Sequence, residues 1–323
     1  MTSKPVMFLN SAQLLASLGD EDSYEVRTRA HLYLSSKHNC GQHDRRLGVE
    51  AGAPSERVLA LIDSYFTSQE QKWNYFSPII EQYLGRAPVR ILDVGSSIGN
   101  ASITLSRCYP EANVTGFEVE SEAVELARVL ARGRARCRFV HAPIERLQDN
   151  DGLFDFIHCS NVLEHVENPK LVLGRLVASL ERGGVILITG PNYLFPWEHH
   201  VHCWMLPGGP KPLVKWLLRR RGDRNPSFID HLRLDVNTWS VKRWLRACGD
   251  VEWRDLSHAK VEQILNGDEN GLFAPRLVAR IKAIHLNGIV AKVARLFPLT
   301  PSMVLLVKKP GASRSGTSQG RHG

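Results

Sequence analysis

The chain has few cysteines and no pair of them at metal-binding spacing. The six lie far apart in 323 residues, and none forms a Cys-x-x-Cys pair: Cys40, Cys108, Cys137, Cys159, Cys203 and Cys248. This pattern argues against a zinc ribbon and against a disulfide framework. We therefore expect reduced thiols.

Long apolar runs are also missing. No stretch is long enough to span a bilayer, and residues 1–10 lack the apolar core of a secretory signal. We expect a cytoplasmic protein, peripheral to the membrane if it contacts one. The formal charge of +8 favours an anionic partner, but it does not choose between nucleic acid, an anionic membrane and an acidic substrate.

A third absence concerns glycine. Residues 90–107 predict a buried strand, a glycine turn and a helix in succession, which is a nucleotide-handling junction. A dinucleotide-binding turn needs glycines at its first, third and sixth positions, which here hold Gly95, Ser97 and Asn100. The missing glycines argue against a nicotinamide oxidoreductase.

The acidic and glycine residues that are present follow another spacing. Asp93, Gly95 and Gly99 give the order acidic-x-Gly-x-x-x-Gly, which suits a loop that receives an amino-acid carboxylate and a ribose. This order resembles motif I of the class I S-adenosylmethionine (SAM) methyltransferases. That family usually has a middle glycine at the position of Ser97, where a serine is small enough to keep the loop close to the methionine moiety.

The resemblance continues downstream in the family's order. A second strand ends at Glu118, roughly 20 residues beyond the glycine turn, where an acidic residue accepts hydrogen bonds from both ribose hydroxyls. Residues 138–147 resemble the third strand and the loop that covers adenine, although the family often has an aspartate at Pro143. Residues 154–166 and 183–192 resemble the fourth and fifth strands. The resemblance implies SAM as the cofactor, bound by Asp93, Gly95, Ser97, Gly99, Glu118, Val119, Pro143, Ile144 and Asn161.

The resemblance also implies the fold class and the organisation of the chain. We expect an α/β, Rossmann-like sheet of seven strands, mostly parallel, with an antiparallel last strand. Residues 1–85 predict an N-terminal helical cap or lid, and residues 86–309 the SAM-binding methyltransferase domain. Helical insertions are expected at about 191–236 and 258–301, and residues 310–323 predict a disordered tail.

Histidines are the candidate catalytic residues. Methyl transfer is an in-line displacement in which alignment supplies much of the rate, but a neutral imidazole can also take a proton from a hydroxyl acceptor. We predict His165, His199 and His200 for this role, with loop-orienting or plain polar roles as the alternatives. Some related small-molecule O-methyltransferases bind a metal through two acidic residues and the histidine of the fourth-strand loop. Here the first acidic position is Asn161, and the histidines crowded around Glu198 have no secure register, so we expect no metal.

The leading functional hypothesis is a SAM-dependent methyltransferase that acts on a small molecule at oxygen, with a glycan, lipid-linked or secondary-metabolite acceptor. An RNA or DNA methyltransferase is the alternative, although residues 160–163 lack the Asn/Asp-Pro-Pro-aromatic segment typical of base-amine methylation. A SAM-binding protein without catalysis is a further alternative. Residues 213–221, with tryptophan, leucines and three arginines, are compatible with an anionic lipid surface, a phosphate-bearing acceptor or a solvated helix end.

Overall fold

The computed structural model describes residues 25–30, 33, 55–148, 152–198, 200, 203–223, 226–258 and 300–311, with a few isolated positions between 283 and 292. Most of the second predicted insertion, nearly all of the predicted tail and the start of the cap lie outside the described residues, and those expectations stay predictions. Across the part of the chain that is described, no helix combines the length and the apolarity that a membrane crossing needs.

The described residues form a central sheet, a small hairpin and helices on both faces of the sheet. The strands are β1 (Arg90–Val94), β2 (Asn113–Glu118), β3 (Cys137–His141), β4 (Phe154–Ser160), β5 (Leu180–Pro191), β6 (Trp197–Glu198), β7 (Cys203–Trp204), β8 (Glu252–Asp255) and β9 (Ser302–Lys308). The helices are α1 (Ser55–Leu84), α2 (Asn100–Cys108), α3 (Ser121–Leu130), α4 (Pro169–Ala178), α5 (Lys211–Arg221) and α6 (Thr238–Ala247). Short 3-10 helices lie at Ile144–Arg146 and Pro226–His231.

The strand order in the sheet is β3-β2-β1-β4-β5-β9-β8. Neighbouring strands from β3 to β5 pair in parallel, whereas β9 is antiparallel to both β5 and β8. The predicted fold class is confirmed, including the antiparallel last strand. The carboxyl ends of β1, β2, β3 and β4 lie along one edge, which is where open sheets of this kind bind ligands.

Side chains from the sheet enter two core clusters, one on each face. Ile91, Phe156 and Leu187 belong to the cluster that includes α1, α2 and α3, whereas Leu92 and Ile157 belong to the one that includes α4, α5 and α6. Because successive side chains of a strand point to opposite faces, these strands need apolar residues at nearly every position.

The helix α1 is the largest part of the described cap. It runs for 30 residues and continues past Pro78, where the proline removes one backbone hydrogen bond without ending the helix. Trp73 is fully buried and meets the ring of Phe156 edge-to-face, with centroids 6.0 Å apart. The middle of α1 is therefore packed directly against β4.

The buried carboxylate of Asp155 fixes the opposite edge of the sheet. It accepts the backbone N–H groups of Val89 at 2.8 Å and Arg90 at 2.9 Å, and the guanidinium of Arg86 at 2.5 Å. A buried carboxylate is stable when its lone pairs are satisfied in this way. These bonds hold the start of β1 against the start of β4. They thereby fix how the two strands are aligned at their carboxyl ends.

Candidate active site

The glycine loop between β1 and α2 is a sharp turn with three residues in the left-handed region. Gly95, Ser97 and Gly99 have φ values of 67°, 49° and 79°. A Cβ at Gly95 would lie 2.6 Å from a methyl carbon of Val162, and one at Gly99 would lie 2.6 Å from the ring of Phe139. Neither glycine can be replaced without movement of its neighbours. Ser97 adopts the left-handed conformation at a cost of roughly 1–2 kcal/mol.

Glu118, at the carboxyl end of β2, closes this loop from the side. One of its carboxylate oxygens accepts the backbone N–H of Ser97 at 2.7 Å, and the other accepts those of Val119 at 2.7 Å and Glu120 at 3.0 Å. A carboxylate offers about four acceptor positions, so three N–H bonds orient the group and leave room for a ligand hydroxyl. The glycine loop and the acidic end of β2, which were predicted separately from the sequence, are thus in direct contact through Ser97 and Glu118.

The other predicted cofactor residues at the surface also lie along the carboxyl edge. Val119 is exposed, Pro143 begins the turn that follows β3, and Asn161 follows β4 with a left-handed φ of 55°. Ile144 differs from these, because its side chain is 5% exposed and belongs to the second core cluster. It supports the loop from below and offers little surface to a ligand.

One contact reaches the glycine loop from the N-terminal part of the chain. The hydroxyl oxygen of Tyr33 lies 3.3 Å from Oγ of Ser97, and the Tyr33 side chain is buried. The sequence analysis missed Tyr33, because it lies 64 residues from Ser97 and no local pattern connects the two. The contact is consistent with the predicted role of residues 1–85 as a lid.

Two of the three predicted catalytic histidines come together with an acidic residue. Glu164 and His165 lie in the segment after β4, whereas His200 lies between β6 and β7, and donor atoms of all three lie within 4.8 Å of one another. The rings of His165 and His200 pack edge-to-face with centroids 5.1 Å apart. The third predicted histidine, His199, lies outside the described residues.

A second carboxylate orients His200. Nδ1 of His200 lies 2.6 Å from Oε1 of Glu198, a fully buried residue that also accepts the hydroxyl of Tyr193 at 3.1 Å. Because a carboxylate only accepts hydrogen bonds, Nδ1 carries the proton, and the lone pair of the neutral imidazole is on Nε2. The hairpin of β6 and β7 supplies the register that the sequence did not reveal.

Glu164 is the least satisfied group of this cluster. Among the described residues, neither of its buried carboxylate oxygens has a hydrogen-bond partner, and burial raises the pKa of Glu164 to about 7. A buried carboxylate in this state fits a group that a cation or a substrate hydroxyl completes. Carboxylate and imidazole donors suit divalent transition metals. The prediction of no metal rested on Asn161, which has no carboxylate, and on the unknown register of the histidines near Glu198. In the structure, His200 provides a third donor atom beside Glu164 and His165.

Comparison with known proteins gives matches along much of the described chain. Residues 91–184 match a family described as a methyltransferase domain. Over 185 residues the chain is 31% identical to the ubiquinone biosynthesis O-methyltransferase of Psychrobacter cryohalolentis, covering 53% of this chain and 71% of that protein. It is 27% identical over 137 residues to the trans-aconitate 2-methyltransferase of Rhodopseudomonas palustris, covering 42% of this chain and 52% of that one. A crystal structure of the plantazolicin methyltransferase BpumL aligns over 88% of this chain and 97% of that chain, with a TM-score of 0.48 and 16% identity.

The raised pKa of Glu164 predicts a pH-dependent effect of its replacement on stability. Between the ordinary pKa and the folded-state value of about 7, the folded protein binds more protons than the unfolded chain, so its stability falls as the pH rises. Above pH 7 the ionised group costs about 3 kcal/mol. We expect Glu164→Gln to raise the free energy of unfolding by up to this amount at pH 8 and to change it little at pH 5.

Urea unfolding at the two pH values, with a chelator present, measures this difference. Glu167→Gln is the matched control, since Glu167 lies nearby and is exposed. An effect of Glu164→Gln that is the same at pH 5 and pH 8 would contradict the assigned pKa.

Proposed function

Because this chain belongs to the class I SAM-dependent methyltransferases, we propose that it transfers a methyl group from SAM to a hydroxyl oxygen of a small-molecule acceptor. Family membership makes the chain an enzyme and SAM its cofactor. The observation that carries the acceptor part of the proposal is the cluster of Glu164, His165 and His200, since an alcohol or phenol must lose a proton on methylation. One of the relatives is, by its name, an O-methyltransferase.

In this proposal the glycine loop receives the methionine part of SAM, and Glu118 receives its ribose. The glycines allow the backbone to approach a ligand closely, and Glu118 keeps an acceptor position for a hydroxyl. We propose that Val119, which is exposed, and Pro143, which is half-buried, flank the adenine. The three N–H bonds that orient Glu118 reduce the ordering needed when the cofactor binds.

His200 is the proposed proton acceptor. Glu198 holds its Nδ1–H, which leaves the Nε2 lone pair for the acceptor hydroxyl. As the oxygen attacks the methyl carbon, its proton passes to Nε2, the bond between sulfur and the methyl carbon breaks, and the sulfonium becomes the neutral thioether of S-adenosylhomocysteine. The carboxylate of Glu198 stabilises the imidazolium that forms.

A divalent cation held by Glu164, His165 and His200 is the second candidate for this site. The buried, unpartnered oxygens of Glu164 favour it, because a cation would satisfy them. When bound, such an ion supplies Lewis acidity that lowers the pKa of a hydroxyl acceptor. His200 would then be a ligand through Nε2 and not the base, so the two candidates exclude each other.

The acceptor side of the site disfavours a nucleic-acid substrate. Two buried carboxyl groups, Glu164 and Glu198, lie close to the proposed reaction centre. Phosphates are repelled by carboxylates and are bound by basic side chains. We therefore keep the small molecule as the acceptor and the polynucleotide as the alternative.

A lipid-linked acceptor is the finer proposal that the surface of α5 supports. Val214 and Leu218 of this helix are buried, whereas Leu213, Trp216 and Leu217 are exposed. Arg220 stacks on the ring of Trp216, with its guanidinium carbon 4.6 Å from the ring centroid. An exposed tryptophan with leucines and arginines suits the boundary of an anionic membrane. This surface would bring the enzyme to an acceptor anchored there.

The role of Glu118 predicts a loss of cofactor affinity. We expect Glu118→Ala to weaken SAM binding at least tenfold, because the ribose hydroxyls lose their acceptor and the loop loses its contact with β2. Isothermal titration of SAM, and separately of NADH, measures this. Glu122→Ala, at a half-buried position in the first turn of α3, should bind SAM like the wild type, and NADH should not bind. Unchanged SAM affinity in Glu118→Ala would remove the ribose assignment.

The metal candidate predicts a thermal shift. At pH 8 we expect Mn²⁺ or Zn²⁺ to raise the unfolding midpoint of chelator-treated protein by about 5 °C at saturation. Glu164→Gln and His200→Ala should lose this shift, whereas Glu167→Gln should keep it. No shift in the wild type would leave His200 as the base and reject the metal.

The α5 surface predicts selective binding to vesicles. We expect the protein to sediment with phosphatidylglycerol vesicles and not with phosphatidylcholine vesicles, with Trp216→Ala reducing the bound fraction severalfold. Trp239→Ala is the matched control, because Trp239 is exposed on α6. Equal binding to the two lipids, or equal loss in both variants, would contradict an anionic-membrane role for α5.

A further inference from the structure

Three polar side chains, Lys72, His158 and Asp93, form a hydrogen-bonded row beneath the glycine loop, on the face of the sheet that α1 covers. Nζ of Lys72, from α1, lies 2.8 Å from Nε2 of His158, and Nδ1 of His158 lies 2.7 Å from Oδ1 of Asp93. Asp93 and His158 are partners on the neighbouring strands β1 and β4, and both are almost completely buried. The proposed chemistry at Glu164 and His200 uses neither Lys72 nor His158.

The chemistry of these groups fixes where the protons lie. A carboxylate only accepts, so Nδ1 of His158 carries its hydrogen, and an ammonium only donates, so Nε2 accepts from Lys72. The proton stays on Lys72 because the ordinary pKa of lysine is about four units above that of histidine. Burial, and then the cation of Lys72, lower the pKa of His158. The row is therefore an ammonium, a neutral imidazole and a carboxylate.

The row balances its own charge. Within the described residues, His158 is hydrogen-bonded to two charged groups of opposite sign, Lys72 and Asp93. Lys72 also donates to the hydroxyl of Ser160 at 3.1 Å, and the ring of Trp73 lies edge-on to the imidazole at 4.9 Å. A buried carboxylate without a counter-charge is strongly unfavourable, and the cation of Lys72 lies on the other side of the His158 imidazole from Asp93.

Asp93 in turn clamps the glycine loop. Its second carboxylate oxygen accepts the hydroxyl of Ser102 at 2.5 Å. Asp93 lies just before the loop and Ser102 lies in the first turn of α2 just after it, so this bond spans residues 95–99. The carboxylate, oriented by His158, therefore connects the strand before the loop to the helix after it.

We propose that half-buried Lys72 is the counter-ion of the buried Asp93, acting through a neutral His158, and that through this row α1 positions the glycine loop. Lys72 is a positioning residue and does not touch the reacting atoms. The consequence for cofactor affinity rests on the proposed function of the glycine loop, whereas the charge pairing does not.

The wild-type protein tests the pairing without any change to the row. We expect the imidazole nitrogens of His158, observed by ¹⁵N NMR and assigned with a His158→Gln variant, to show the neutral Nδ1–H form from pH 5.5 to 8. An imidazolium signal at pH 6.5 would overturn the proposal. This arm needs no folded Lys72 variant.

Removal of the counter-ion provides the second arm. In Lys72→Met we expect His158 to take up a proton in place of Lys72, so that the pKa of His158 rises because the neighbouring cation is gone. Lys242→Met is the control, because Lys242 joins α6 to Asp255 of β8 by a similar ion pair. A His158 pKa unchanged in Lys72→Met, or raised equally in Lys242→Met, would overturn the proposal.

Charge removal on both sides separates pairing from simple packing. Lys72→Met should lower the thermal midpoint by about 5–10 °C, and the added Asp93→Asn should restore at least half of that loss, because the buried charge disappears. Losses that simply add would contradict the pairing.

Measurement of SAM affinity tests whether Lys72 positions the glycine loop. We expect Lys72→Met to weaken SAM binding about tenfold and Lys242→Met to leave it unchanged, as measured by titration calorimetry. Unchanged affinity in a folded Lys72→Met protein would overturn the positioning role and leave only the pairing. A wild-type protein that does not bind SAM would instead reject the proposed function, and the NMR result would still decide the pairing.

Discussion

Parallel pairing of neighbouring strands is the constraint on which the whole site depends. Because β1, β2 and β4 run in the same direction, the residues that follow each of them emerge along one edge. Glu118 reaches the backbone of Ser97 only because β2 lies beside β1. The imidazole of His158 reaches Asp93 for the same reason, across the pair formed by β1 and β4. Strand pairing thus brings residues that are distant in sequence next to one another.

The backbone geometry of the proposed cofactor site could be predicted from the sequence because its signals are local. A buried strand, two glycines that have no room for a Cβ, and an acidic strand end lie within about thirty residues of one another. Each of these follows from backbone conformation or strand pairing, which short segments encode. Ile144 was less predictable, since its burial in the core depends on helices that pack from elsewhere. Tyr33 could not be predicted, because its partner Ser97 is found only in three dimensions.

The acceptor half depends on contacts that no short pattern contains. The hairpin of β6 and β7 has two residues in each strand, too few for an alternation of polar and apolar residues to be recognised. Yet this hairpin carries Glu198 and delivers His200 to Glu164. The match to the methyltransferase family ends at residue 184, before this hairpin begins. The part of the chain that would select the acceptor is thus the part for which family comparison gives the least help.

The position of β9 has a consequence for how the protein is made. Among the described strands it comes last in sequence, but in the sheet it lies between β5 and β8 and pairs with both. Before residues 302–308 have been synthesised, the edge of β5 is unpaired, and this strand contains apolar residues such as Ile186 and Ile188. An open edge of this kind is a template for association with other chains. Until residues 302–308 have been synthesised, the edge of β5 is therefore open to association with other chains.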